Sequence, residues 1–276
     1  HTALVETDDD THAFAANAHN TYDAILVAGQ RRLLDVIDHA AIPDMPIGLM
    51  QPGELTPLSR ATGMRGKPVQ FANALADGPA FAMDALSLSS DAHATEPQFA
   101  RLAVSAGQSA DLIASLLPSV VAPLATSTST YALAKNATRP VERFDVALDG
   151  FNYRCVAAFV LPARGYGALL PTADALPNAP LTCVLIEVDD RTAMFDMLVS
   201  ARLRRLLRDR SVSVRAAHSV TISGEDITLQ CDGQPVASPT AGQSIAIAAH
   251  AASRPFIVAQ EVGARFADIS GDTLAA

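Results

Sequence analysis

Two kinds of hydrophobic pattern divide the chain. Up to about residue 82, short apolar runs alternate with stretches whose apolar residues recur at helical spacing. Residues 2–6 read as a short strand. Asp8, Asp9 or Asp10 caps a helix over 11–20, with Phe14 and Ala18 on one face. The run DAILVA at 23–28 is almost wholly apolar, which predicts a strand buried on both faces of a parallel sheet. Gly29 turns the chain into a helix over 33–41, where Leu33, Leu34, Ile37 and Ala41 share one side. Pro43 and Pro46 punctuate, and 47–50 is a second short buried strand. Pro52 and Gly53 lead into a helix ending near 61, Gly63 and Gly66 close it, and a last helix covers 69–76. This β-α-β-α-β alternation is that of a right-handed parallel α/β unit.

Beyond about residue 81 strands dominate. They are expected over 81–88, 99–105, 141–148, 153–161, 181–188, 212–220, 227–231 and 244–248, with turn signals at Asp149-Gly150 and Asp232-Gly233. Helices interrupt over 109–117, 121–134 and 193–208. The run RPFIVA at 254–259 reads as a late strand returning to the first domain, and the residues after Ala264 as a loosely held tail. The expected fold class is α/β: an N-terminal three-layer parallel α/β domain of nucleotide-binding type, then a mostly antiparallel β-sandwich domain with inserted helices. The expected divisions are 1–82, 83–250, and 251–276 as return strand and tail.

Composition narrows the function classes. Of 276 residues 49% are hydrophobic and 18% charged, enough apolar content for a core and too much for a disordered chain. The net charge of −9 argues against non-specific nucleic-acid binding, which needs a basic surface. No apolar run reaches the roughly 20 residues that span a bilayer. Cys155, Cys183 and Cys231 are odd in number, far apart and set in strand-like runs, which predicts buried reduced thiols and a cytoplasmic protein. Residues 1–10 have no basic-then-apolar order of a signal peptide. There is no G-x-S-x-G and no G-x-G-x-x-G after the 23–28 strand. His12, His19, His39, His93, His218 and His250 are scattered, as structural or surface residues are.

The order of the pieces resembles the diacylglycerol kinase and sphingosine kinase family of lipid kinases over nearly the whole chain. YDAILVAG at 22–29 is similar to the family strand entering its GGDGT loop. MPIGLMQPG at 45–53 is similar to the strand before its PxGTxNDxAR segment, whose end Ser59 and Arg60 fit. Val104, Ser105, Ala106 and Gly107 resemble the strand and glycine that open the second domain's first long helix. Tyr166-Gly167 and Pro171-Thr172-Ala173 resemble its glycine turn and P-x-A segment. Leu229-Gln230-Cys231 before Asp232-Gly233 resembles the approach to a DGE motif, and residues 254–258 the closing strand. The resemblance implies ATP and Mg²⁺ in a cleft and a lipid hydroxyl as acceptor. It assigns nucleotide contacts to Gly29, Gln30, Arg31, Arg32, Gly53, Glu54 and Thr56, lipid contact to Ala106 and Gly107, and catalysis to Asp232 and Gln234. The family opens with a further strand and an N-P-x-S-G phosphate loop. This chain opens at His1 on what resembles the second strand, so either a preceding segment is expected or that element is absent, and the start at His1 favours the first.

Phosphoryl transfer needs a phosphate cradle, a metal to neutralise developing charge, and a base near the attacking hydroxyl. Against the family's GGDGT the chain has Ala28, Gly29, Gln30, Arg31 and Arg32, with an amide where the acid stood and a bulky residue where backbone approaches phosphate. Glu54, Thr56 and Pro57 replace a Thr, an Asn and an Asp. Gln234 replaces the glutamate of DGE. Pro177, Asn178 and Ala179 replace a metal-binding D-D-G, and Thr182 a later Asp. Two readings follow. One is an impaired member that keeps lipid or nucleotide binding. The other is an active kinase with a rebuilt site, Arg31 and Arg32 holding phosphates by side chain and Asp35, Asp38, Asp111, Asp149 and Asp232 serving a metal. Asp149 and Asp232 also read simply as turn residues before glycine. A non-enzymatic regulatory subunit is the further class. Arg202, Arg204, Arg205, Arg208 and Arg210, interleaved with leucines, read as a helix C-terminus or as a peripheral contact with anionic lipid at the inner membrane face.

Overall fold

The computed structural model describes residues 23–28, 45–50, 62, 68–90, 98–107, 142–163, 179–190, 192–193, 209–225, 227–232, 234–236, 239 and 242–259. The chain divides into two compact units, the first formed by residues 1–84 and 251–276, the second by 85–250. The expected elements over 2–20, 33–41, 53–61, 109–117 and 121–134 lie outside the described residues.

In the first unit β1 (Ile25–Ala28) and β2 (Ile47–Met50) pair in parallel, Ile25 beside Ile47 and Val27 beside Leu49. The last part of β14 (Ser244–Ile257) joins β2 in parallel, with Phe256 beside Ile47. A helix, α1 (Pro68–Asp77), begins at Pro68, where a missing N–H costs nothing. Ala74 and Leu75 of α1 pack with Ile257 and Ala24. Gly78 ends α1 by donating its N–H to Ala74 O at 2.8 Å. A Cβ there would lie 2.2 Å from that oxygen and 2.6 Å from Val258 O, so the close approach requires glycine. The 23–28 run does not behave as a strand buried on both faces. Ile25 and Val27 are buried while Leu26, in the strand that ends the order of paired strands, is 51% exposed.

The second unit is an antiparallel sandwich. One sheet runs, in spatial order, β10 (Val212–Ala217), β9 (Leu181–Ile186), β8 (Ala157–Pro162), β5 (Val104–Ala106), β12 (Leu229–Cys231) and β13 (Gln234–Val236). The other includes the first part of β14, β11 (Val220–Ser223), β6 (Phe144–Leu148) and β7 (Phe151–Cys155). β3 (Ala80–Ser90) pairs with β14 and with β4 (Gln98–Ala100). Alternate residues of both sheets meet in one core: Phe144, Val146 and Leu148 from β6, Val160 from β8, Cys183 and Leu185 from β9, Ile222 from β11, Leu229 from β12 and Ile247 from β14 are members. The opposite face of the first sheet is buried too, at Phe159, Leu161, Val184 and Ile186. That accounts for the continuous apolar runs of β8 and β9 in an antiparallel sheet.

Five expected strands are drawn differently. Residues 153–161 are not one strand: β7 ends at Cys155 and β8 begins at Ala157 in the other sheet. Inward-facing positions change from odd (Tyr153, Cys155) to even (Ala158, Val160) across Val156, as a chain crossing between facing sheets requires. Residues 212–220 break likewise at His218 and Ser219 between β10 and β11. Residues 99–105 break at 101–103 between β4 and β5. Conversely, the strands expected at 244–248 and 254–259 are one, β14, which runs through to Ile257.

Candidate functional site

Two breaks are held by the same device. β6 and β7 are joined by the two-residue turn Asp149-Gly150, with Leu148 beside Phe151. Both turn residues have positive φ, 48° and 89°, which is the type I′ hairpin that matches strand twist. β12 and β13 are joined by Asp232-Gly233, with Cys231 beside Gln234, and Asp232 has φ 51°. These are the positive-φ non-glycine residues among those described. Aspartate tolerates this region better than most side chains because its short carboxylate bonds locally.

Each carboxylate reaches across to a break in a distant strand. Asp232 Oδ1 accepts the N–H of Leu102 at 2.8 Å and of Ala103 at 3.0 Å, and Oδ2 accepts that of Arg101 at 2.9 Å. In return Asp232 N–H donates to Ala103 O at 2.9 Å. Asp149 Oδ1 accepts from His218 N at 3.0 Å, Ser219 N at 2.8 Å and Ser219 Oγ at 3.1 Å. Asp149 N–H donates to Ser219 O at 3.1 Å. Each turn thus satisfies the backbone donors that the neighbouring break leaves without ladder partners.

Electrostatics follow from these contacts. Burial alone pushes Asp149 up. The backbone N–H bonds from His218 and Ser219, the Ser219 hydroxyl and the His218 ring, whose Nδ1 is 3.6 Å from Oδ2, together hold its carboxyl below the ordinary 3.8. The thiols of Cys155 and Cys183 are pushed up to about 12, first by burial, then by Glu187 and Asp145 near Cys155 and by Asp149 near Cys183. Cys155, Cys183 and Cys231 are buried. With values this high, Cys155 and Cys183 are protonated at neutral pH, which makes them poor nucleophiles.

The structure treats the residues singled out in the sequence unevenly. Gly29, Gln30, Arg31, Arg32, Gly53, Glu54 and Thr56 lie outside the described residues, as do Asp35, Asp38, Asp111, Pro177, Asn178 and the arginines from 202 to 208. Ala106 is fully buried in β5 and belongs to the sandwich core. Gly107 is buried with φ 100°. It donates its N–H to Thr228 O at 2.9 Å, and a Cβ would meet Val156 O at 2.2 Å. Gln234 begins β13 beside Cys231. Asp232 is occupied by three backbone donors, so any catalytic task would share the carboxylate with that anchor. Among the described residues no group of three or more His, Cys, Asp and Glu side chains is placed to hold a metal ion, and no helix is long and apolar enough to cross a membrane. Sequence reasoning missed the reach of the two aspartates to residues 101–103 and 218–219; the Asp-Gly pairs were the visible half of that signal.

Set against solved structures, the chain matches a proposed diacylglycerol kinase from Bacillus anthracis str. Sterne with a TM-score of 0.60, covering 94% of this chain and 85% of that one at 14% identity. The fold is that of a diacylglycerol-kinase-like protein. A second structure, of a diacylglycerol kinase from the same strain, overlaps with a TM-score of 0.57 over 94% of this chain and 84% of that one, again at 14% identity. No protein-family model matches the chain, and no curated protein matches it by sequence. The kinase-like fold therefore stands on three-dimensional likeness. The deep divergence of sequence leaves the chemistry to the side chains.

Proposed function

We propose that this is a lipid-kinase-like protein impaired in phosphoryl transfer, acting through binding of a lipid or nucleotide. The observation that carries the reading is the overlap of 94% of the chain with a diacylglycerol-kinase-like fold, combined with Gln30, Pro57, Asn178 and Gln234 at positions where the resemblance expects carboxylates. Amides and proline bind a hard cation poorly and take up no proton. Losing a general base alone costs roughly 10²–10⁴-fold, and here base, metal and cradle positions change together. ATP and Mg²⁺ enter through the resemblance alone.

Purified protein incubated with ATP, Mg²⁺ and diacylglycerol or a sphingoid base is expected to form little lipid phosphate. Robust turnover overturns the impairment and leaves the rebuilt-site reading, with Arg31 and Arg32 as phosphate ligands. Native mass spectrometry followed by lipid extraction separates a lipid binder, a nucleotide binder and an empty scaffold. The arginines from 202 to 210 are proposed to touch anionic lipid; flotation with vesicles, with and without anionic lipid, tests that contact directly.

A further inference from the structure

β7 ends the order of its sheet. Leu148 and Phe151 close a two-residue hairpin and so form a hydrogen-bonded pair. Alternation along the ladder then turns the N–H and C=O of Phe151, Tyr153 and Cys155 toward β6, and those of Asn152 and Arg154 away from it. Among the described residues no backbone group of Asn152 or Arg154 meets a hydrogen-bond partner across that outer edge, and both residues are exposed. Phe151, at the start of the strand, is 71% exposed. Three common guards of an edge strand are missing. FNYRC holds no proline and no lysine, and its five residues pair with β6 one for one, without a bulge. Its one charge, Arg154, lies beside Asp145 in register.

We propose that β7 pairs antiparallel with β7 of a second copy of this chain, across a two-fold axis at Tyr153. Under that axis Asn152 stands opposite Arg154 of the second copy, and Arg154 opposite its Asn152. These are the residues whose backbone groups point outward, so each pair exchanges both of its ladder bonds. The side chains agree with this register. On the outer face each Arg154 has Asp145 of its own chain on one side and Asn152 of the second copy on the other, an acceptor in both directions. A pairing centred on Arg154 sets two arginines directly opposite, which destabilises. One centred on Asn152 leaves Arg154 opposite Gly150, past the end of the strand. The register centred on Tyr153 also brings Phe151 opposite Cys155 of the second copy and takes its exposed ring out of water. Five residues a side fall short of the roughly 800 Å² per partner of a standard interface, so the dimer is a reversible one. The pairing is independent of the phosphoryl-transfer reading and stands or falls separately from it.

The test is sedimentation velocity of the whole protein over a concentration series, at an ionic strength that screens the charge of −9 on each copy. Wild type is expected to pass from monomer to dimer as concentration rises. Asn152→Pro removes an outward N–H, spares the bonds to β6, and places proline at an edge position that tolerates it. It is expected to weaken association by about tenfold, the loss of one backbone bond from each copy. Phe151→Ser leaves the backbone intact and is expected to weaken association by about the same factor through the apolar area it removes. Circular dichroism checks folding, and Phe151→Ser, at an exposed position, remains decisive if Asn152→Pro does not fold. Wild type that stays monomeric up to its solubility limit overturns the proposal, whatever other molecule meets this edge. A dimer that neither substitution weakens overturns it as well.

Discussion

Replacing Asp232 separates anchoring from chemistry. Three substitutions remove different parts of the contact. In Asp232→Asn the amide carbonyl oxygen takes the place of Oδ1 and keeps the bonds to Leu102 and Ala103 N–H, while the NH₂ group faces the Arg101 N–H and loses that bond. Asn also tolerates the φ of 51°. The expected cost is about 1.5 kcal/mol, the low end for a hydrogen bond to a charged acceptor, since the site is only partly buried. Asp232→Gly removes all three bonds but suits the positive φ. Water reaches this partly buried turn and recovers some of the loss, so about 3 kcal/mol is expected. Asp232→Ala removes the same bonds and adds the left-handed penalty of about 1 kcal/mol, giving about 4 kcal/mol. Urea denaturation gives the order Asn, Gly, Ala, and hydrogen exchange places the loss at the amides of 101–103. An Ala variant within about 0.5 kcal/mol of wild type, or a Gly variant less stable than Ala, refutes the anchor.

The Asp149 anchor predicts a pH dependence. Its folded carboxyl sits below the ordinary value of 3.8, so its stabilisation is present above that value and is lost as pH falls through the lower, folded one; Asp149→Asn should flatten the acid limb of a stability–pH curve. For Cys155 and Cys183 the sign is opposite. Their folded values near 12 exceed the ordinary 9.0, so stability should decline as pH rises above about 9. A thiol reagent at neutral pH should label neither of them before unfolding, and rapid native labelling of either would contradict their burial. Phe159→Ala, at a fully buried position in β8, should cost about 3–5 kcal/mol in the same denaturation assay.

The fold was legible wherever one period held over a whole element. β2 and β6 carry enough pattern to be read directly, and α1 shows helical spacing with a proline at its start. Corners were not legible, because a strand that leaves one sheet for the other shows no loss of hydrophobicity. Residues 151–162 read FNYRCVAAFVLP. The change from alternation to a continuous run at Val156 is the corner, visible in retrospect as a change of period. At 218–219 the polar His218 and Ser219 stand between Ala217 and Val220 and mark the break more plainly. At 101–103 nothing local marks it. The partner is Asp232, some 130 residues away, and a single sequence does not display that pairing. The same applies to Arg215, which reads as an exposed cation on an alternating strand until the Tyr153 ring is found beneath it.

These contacts change what a motif resemblance is evidence for. A turn resembling DGE contains three positions with different duties. The first supplies a carboxylate that pins a break elsewhere in the sheet and tolerates positive φ. The second is a glycine in the sequence and lies outside the described residues. Both requirements on Asp232 arise from the sandwich and hold with no substrate present. Asp149-Gly150 makes the point independently. It has the same φ, the same reciprocal N–H bond and the same reach to a strand break, yet the resemblance assigns it no catalytic task. The presence of Asp232 is therefore an argument for the fold and silent about turnover. Only the third position bears on chemistry, because the hairpin asks of it no more than a place in β13, and there the chain carries Gln234. Substituting Gln234→Glu restores the acid without touching the anchor, so its effect on lipid phosphate formation reads chemistry alone.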